Sequence, residues 1–128
     1  MIKLKDPYLH VGIYTANFEK LVEWYKNVLG FEEKERLDHP QDTYVSFKFK
    51  DNFFWIGKHD QLTPHTKNAD PYRVMVGFSA VSVNEIYEDL KAKNVEFVAT
   101  PFEAPPGGFW CMTIKDPDGN ILQFMGDK

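Results

Sequence analysis

The chain has one cysteine, Cys111, in 128 residues, so no internal disulfide can form and nothing here resembles a disulfide-stapled scaffold. Cys111 lies inside an apolar run with no basic residue beside it to activate the thiol, and it reads as a core residue. Long apolar runs are missing too. No stretch approaches the ~20 residues that a membrane span requires, and the start, Met1-Ile2-Lys3-Leu4-Lys5-Asp6-Pro7, lacks the apolar segment of a signal peptide. The expected location is cytoplasmic, with no membrane partner. Charge is scattered: 15 basic and 19 acidic residues give a net charge of −4 without any block of five or six like charges, so nucleic acid is not an expected partner. A phosphate-cradling glycine loop, paired catalytic carboxylates and a serine-histidine-aspartate arrangement are all lacking.

What the chain does have is aromatic side chains, 16% of residues, which can fill a core or line a pocket. Its length suits one domain over residues 1–128. It also has an internal repeat. A shift of 65 residues lays Leu9-His10-Val11-Gly12-Ile13 on Val74-Met75-Val76-Gly77-Phe78, then Leu21 on Ile86, Glu23 on Glu88, Tyr25 on Leu90 and Lys26 on Lys91. Phe49-Lys50-Asp51 meets Ile114-Lys115-Asp116. After three extra residues, Pro117-Asp118-Gly119, the match resumes with Asn52 on Asn120 and Phe53-Phe54-Trp55-Ile56 on Ile121-Leu122-Gln123-Phe124. Two long units in one chain are two supersecondary modules, not a solenoid.

The local pattern predicts a strand over 8–14, a polar cap at Thr15-Ala16-Asn17, and a helix to Leu29 with the apolar stripe Leu21, Trp24, Tyr25, Val28 and Leu29. Gly30 is the expected left-handed stop. Strands follow near 31–36, 43–50 and 53–58, separated by the turn-rich Asp38-His39-Pro40-Gln41-Asp42 and by Asp51-Asn52. In the second unit Ser82 and Glu85 have capping-box spacing, which opens a helix to about Lys93. Strands near 95–98, 108–115 and 120–126 complete it. Each unit is therefore βαβββ: repeat one about 8–60, a linker about 61–71 with two prolines, and repeat two about 72–126. The stretch Thr100 to Gly108, with prolines and glycines, suits equally a loop folded over a cavity mouth and an ordinary strand connection. Asp116-Pro117-Asp118-Gly119 reads as a structural β-turn.

Three motifs in order, Leu9-His10-Val11-Gly12, Trp24-Tyr25-Lys26-Asn27-Val28-Leu29-Gly30-Phe31 and Asp116-Pro117-Asp118-Gly119-Asn120, carry a resemblance to the vicinal oxygen chelate superfamily. That group includes glyoxalase I, bleomycin-resistance proteins, fosfomycin-resistance enzymes and extradiol dioxygenases. The resemblance implies an α+β fold in which two βαβββ repeats form a cupped, mostly antiparallel mixed sheet around a cavity, and a homodimer. It also implies metal ligands on the first and last strand of each repeat. Here those positions carry His10, Met75, Trp55 and Gln123. Imidazole is a competent donor, a thioether is soft and suits copper(I), indole cannot ligate, and an amide oxygen is neutral. No carboxylate stands among them to offset a dication or act as a base. A slip of one residue would exchange Trp55 for Phe54 or Ile56, neither a ligand.

Strand alternation instead gathers a mostly apolar cup with polar handles, and the candidate ligand pocket is His10, Tyr14, Trp55, Met75, Ser79 and Gln123. His10 and Trp55 each also admit a plain core reading. His39, His59 and His65 read as surface residues, with His59 able to reach a cavity rim. The expected function is binding of a small, largely apolar or aromatic molecule, with a degenerate metal site and no cofactor. One alternative is a glyoxalase-like lyase or isomerase, or a dioxygenase, in which His10 and Gln123 hold Ni, Zn, Mn or Fe. The other is a non-catalytic structural or regulatory module.

Overall fold

The structure, a computed structural model, describes residues 1–5 and 9–128. The predicted strand start at Tyr8, with Asp6 and Pro7 before it, lies outside the described residues. The chain divides into two compact units, Met1–His65 and Thr66–Lys128. Each carries a four-stranded mixed sheet and one helix, so the fold is α+β as the repeat implies.

In the first unit the order is β1 (His10–Thr15), α1 (Phe18–Asn27), β2 (Glu33–His39), β3 (Asp42–Phe47) and β4 (Phe53–Lys58), with spatial order β1-β4-β3-β2. β1 runs parallel to β4, and the other pairs are antiparallel. The parallel pair follows from connectivity, because the helix and hairpin between β1 and β4 return the chain in its original direction. α1 starts where Asn17 donates its N–H to Thr15 Oγ1 at 2.9 Å. It stops as predicted: Gly30 has φ +72°, and Phe31 N–H reaches back to the Tyr25 carbonyl at 3.1 Å. The buried stripe of α1 is Phe18, Leu21, Val22 and Tyr25. Trp24, Val28 and Leu29, placed in that stripe by the sequence, are only half-buried at its edge. Tyr25 stacks on Phe47 at 6.1 Å and meets Phe54 at 5.7 Å. Val45 and Ile56 complete a fully buried layer between helix and sheet. The predicted break at Asp38–Asp42 narrows to a turn at Pro40-Gln41, since β2 and β3 pair out to His39 and Asp42.

The second unit repeats this plan with β5 (Met75–Ser82), α2 (Val83–Lys91), β6 (Glu96–Glu103), β7 (Trp110–Lys115) and β8 (Ile121–Asp127), in the order β5-β8-β7-β6. Ser82 caps α2 by accepting the Glu85 N–H at 3.2 Å, the N-cap half of the box expected from the sequence. Val83 and Leu90 bury the helix against Met112, Ile114, Leu122 and Phe124. β6 is longer than predicted, running through Thr100-Pro101 to Glu103, so the connection to β7 shrinks to residues 104–109. Proline is tolerated because β6 is an edge strand, and Thr100-Pro101 occupy a bulge between the Ala99–Thr113 and Phe102–Cys111 pairs. Cys111 is buried, as read. The Asp116 turn is structural: its carboxylate accepts from Asp118 N–H, Asn120 N–H and Asn120 Nδ2 at 2.9 to 3.0 Å. The linker is fastened there as well, Lys67 Nζ donating to the Pro117 carbonyl and Asn68 Nδ2 to Asn120 Oδ1. Among the described residues no helix is long and apolar enough to cross a membrane.

Candidate functional site

Register decides which side chains share a face. In the first sheet Gly12 pairs with Trp55, Tyr14 with Gly57, Ser46 with Trp55 and Tyr44 with Gly57. The face away from α1 therefore carries His10, Gly12 and Tyr14 from β1, Phe53, Trp55 and Gly57 from β4, and Tyr44 and Ser46 from β3. Phe54 and Ile56 lie on the helix face, 4% and 0% exposed, so it is Trp55 that occupies the last-strand position named above.

The aromatic rings on this face form a continuous array. His10 and Phe53 centroids are 5.4 Å apart, Phe53 and Trp55 5.1 Å, Trp55 and Tyr14 6.4 Å in a T-shaped contact, and Tyr14 and His59 5.7 Å. Trp55 Nε1–H donates to Tyr14 Oη at 3.2 Å, which ties the indole edge to the phenol. Two glycines make room. A Cβ at Gly12 would stand 2.3 Å from Trp55 Cε2, and one at Gly57 would stand 2.6 Å from Tyr14 Cε1. The rings thus lie down across bare backbone on β1 and β4, in the manner of a platform rather than of side chains standing off the sheet. Tyr14 is 44% exposed and His10 is exposed, so the platform keeps open apolar surface with a hydroxyl and an imidazole at its edge.

On the second sheet the face away from α2 carries Met75, Gly77 and Ser79 beside Ile121, Gln123 and Met125, which are register partners. Thr113 pairs with Gln123 and Cys111 with Met125 on the next strand. Here methionine replaces the aromatic ring: Met125 Cε would meet a Cβ at Gly77 at 2.7 Å. Met75 and Met125 remain partly exposed, which gives a soft, adaptable apolar surface around the Gln123 amide. The structure therefore brings His10, Tyr14 and Trp55 together on one sheet, and Met75, Ser79 and Gln123 together on the other.

The four metal-ligand positions do not fit a divalent metal held by the usual set. Trp55 Nε1 is a donor already bonded to Tyr14, His10 rests against Phe53, and Met75 and Gln123 add a thioether and a neutral amide. Among the described residues no group of three or more His, Cys, Asp or Glu side chains could hold a metal ion.

A concavity of about 640 Å³ lies in the first unit between the Pro40-Gln41 turn and the end of β4, lined by residues including His39, Asp42, Lys58 and His59. His39 Nδ1 accepts the Gln41 N–H and His59 Nδ1 accepts the Gln61 N–H, both at 3.1 Å. His59, read from sequence as a surface residue able to reach a rim, is the link between this groove and Tyr14. Ser46, Tyr44 and Phe53 were not singled out from the sequence. Alternation within β3, combined with the β3–β4 register, is the signal that finds them.

The two βαβββ modules with open sheet faces define a class of fold, and the comparisons place the chain within it. The chain belongs to the Glyoxalase/Bleomycin resistance protein/Dioxygenase superfamily, whose family model matches residues 8–124. A lactoylglutathione lyase of Neisseria meningitidis serogroup A is 27% identical over 94% of this chain and 90% of its own length. Among solved structures, a glyoxylase/bleomycin resistance protein/dioxygenase domain from Frankia sp. EAN1pec superposes with a TM-score of 0.77 at 17% identity, covering 98% of this chain and all of that one. A glyoxalase family protein from Enterococcus faecalis superposes with a TM-score of 0.72 at 21% identity, covering 91% and 94%.

Proposed function

We propose that this chain binds a small, largely apolar or aromatic molecule, stacked on the face that carries Trp55, without a resident metal. The observation that supports this reading is the indole of Trp55, laid across Gly12 and fixed by its hydrogen bond to Tyr14. A ring held flat before a ligand arrives spends little ordering entropy on binding, and offset or edge contacts add about 0.5–1.5 kcal/mol each to simple burial. His10 and Tyr14, on the same sheet as Trp55, supply the hydrogen bonds that orient a ligand. The test is a thermal-shift screen of planar aromatic compounds: a compound that binds only the native state raises the melting temperature, and Trp55→Ala should remove most of that shift.

A second reading follows from the lactoylglutathione lyase of Neisseria: a lyase that takes a divalent Ni, Zn, Mn or Fe ion at His10, with water completing the shell. Stoichiometric metal in protein purified without chelators, lost in His10→Ala, supports the lyase; less than about a tenth of an equivalent supports the binding protein. For either reading we expect a cytoplasmic homodimer. Sedimentation velocity distinguishes this from the 14.9 kDa monomer.

A further inference from the structure

The hydroxyl of Ser46 is the one buried side-chain polar atom without a hydrogen-bond partner among the described residues. Ser46 is 0% exposed and lies on the same face of the first sheet as Trp55, its register partner on β4, with Glu35 its partner on β2. The Trp55 indole leans the other way, across Gly12 on β1, so the floor of the face on the β3 side of Trp55 is Ser46. The second unit puts a hydroxyl at the equivalent place, Thr113, paired with Gln123 and 6% exposed. As a packing group, a buried hydroxyl with nothing to bond is inferior to a methyl, and each such group in a folded protein calls for an explanation.

We infer that Ser46 is a specificity-determining residue, whose hydroxyl bonds a polar substituent, a phenolic hydroxyl or a ring carbonyl, on an aromatic ligand stacked against Trp55. This rests on the reading that the Trp55 face is the ligand site. It adds a chemical class: the favoured ligand is an oxygenated aromatic, not a bare hydrocarbon. Ser46 is fully covered, so ligand access to it requires displacing the side chains over it, a rotamer change of the kind common where ligands or partners dock.

The test compares two probes of one shape, 2-naphthol and 2-methylnaphthalene, titrated into wild type, Ser46→Ala and Trp55→Ala and followed by protein NMR. The ratio of the two affinities removes the difference in their hydration. It should fall about tenfold in Ser46→Ala, the worth of one hydrogen bond, while 2-methylnaphthalene binding stays within about twofold. Trp55→Ala should weaken both probes together. Ser46→Ala should melt no lower than wild type, so a folding defect cannot imitate the result. An unchanged ratio, with both probes still dependent on Trp55, overturns the role of Ser46 and leaves the Trp55 site standing. Binding of neither probe to wild type overturns both.

Discussion

Gly12→Ala is a one-methyl perturbation whose effect can be worked from the structure. The new Cβ would stand 2.3, 2.4 and 2.6 Å from Trp55 Cε2, Cζ2 and Nε1, against the 3.5–4.0 Å of an ordinary carbon contact. The indole must therefore move by more than about 1 Å, and its bond to Tyr14 cannot survive that shift. Stability changes little, because the terms oppose. Alanine in a strand gains about 0.5–1 kcal/mol over glycine, overpacking costs about 1–3 kcal/mol, and the partly exposed Trp55 can yield toward solvent. The net is a loss of about 1 kcal/mol, or a few degrees in melting temperature. Binding of an aromatic probe should fall about tenfold or more, since the platform is displaced. The assay pairs a thermal melt with the Trp55 indole N–H resonance and a titration with 2-naphthol. An unmoved indole resonance with undiminished affinity would refute the argument that Gly12 exists to seat Trp55.

Two further perturbations probe what holds each unit together. Asp116→Ala removes a 4%-exposed carboxylate that three donors share, and it should lower stability by about 2–4 kcal/mol in urea unfolding, loosening Lys67 and Asn68 along with the turn. Glu33 sits between Lys26 at 3.0 Å and Arg36 at 2.8 Å, and the Lys26 hydrogen bond first, then Arg36, hold its carboxyl below the usual carboxylate range. A lowered folded-state value means the contribution is whole above the unfolded value of about 4.3 and disappears as pH falls through the folded one. Glu33→Gln should therefore cost about 0.5–1 kcal/mol at pH 7 and nearly nothing near pH 2, measured by urea melts at both.

Much of the fold was legible because its punctuation is local. Gly30, the Ser82–Glu85 pair and the Asp116 turn each act through hydrogen bonds within a few residues, and the structure has all three where the sequence put them. The repeat was legible because β1 and β5 begin 65 residues apart and β4 and β8 begin 68 apart, so one inserted turn explains the change of offset. Alternation correctly set Trp55 apart from Phe54 and Ile56. What could not be read depends on pairing between strands. Pro101 argued for a loop, and only its place in a bulged edge strand makes it acceptable within β6. Ser46 looks like any strand serine until the loop over 48–52 fixes β3 against β4 and sets it opposite Trp55. Val22 was missed from the core because the buried face of α1 is turned toward Phe18 and Val22 and away from Trp24 and Val28.

The central claim is that an aromatic molecule binds at Trp55 without the help of metal. Isothermal titration of 2-naphthol into wild type and Trp55→Ala, each with excess EDTA, tests it most directly. The account predicts that binding to wild type survives the chelator and weakens about tenfold or more in Trp55→Ala. Binding that disappears with EDTA, returns with Ni, Zn, Mn or Fe, and ignores the loss of the indole would contradict it.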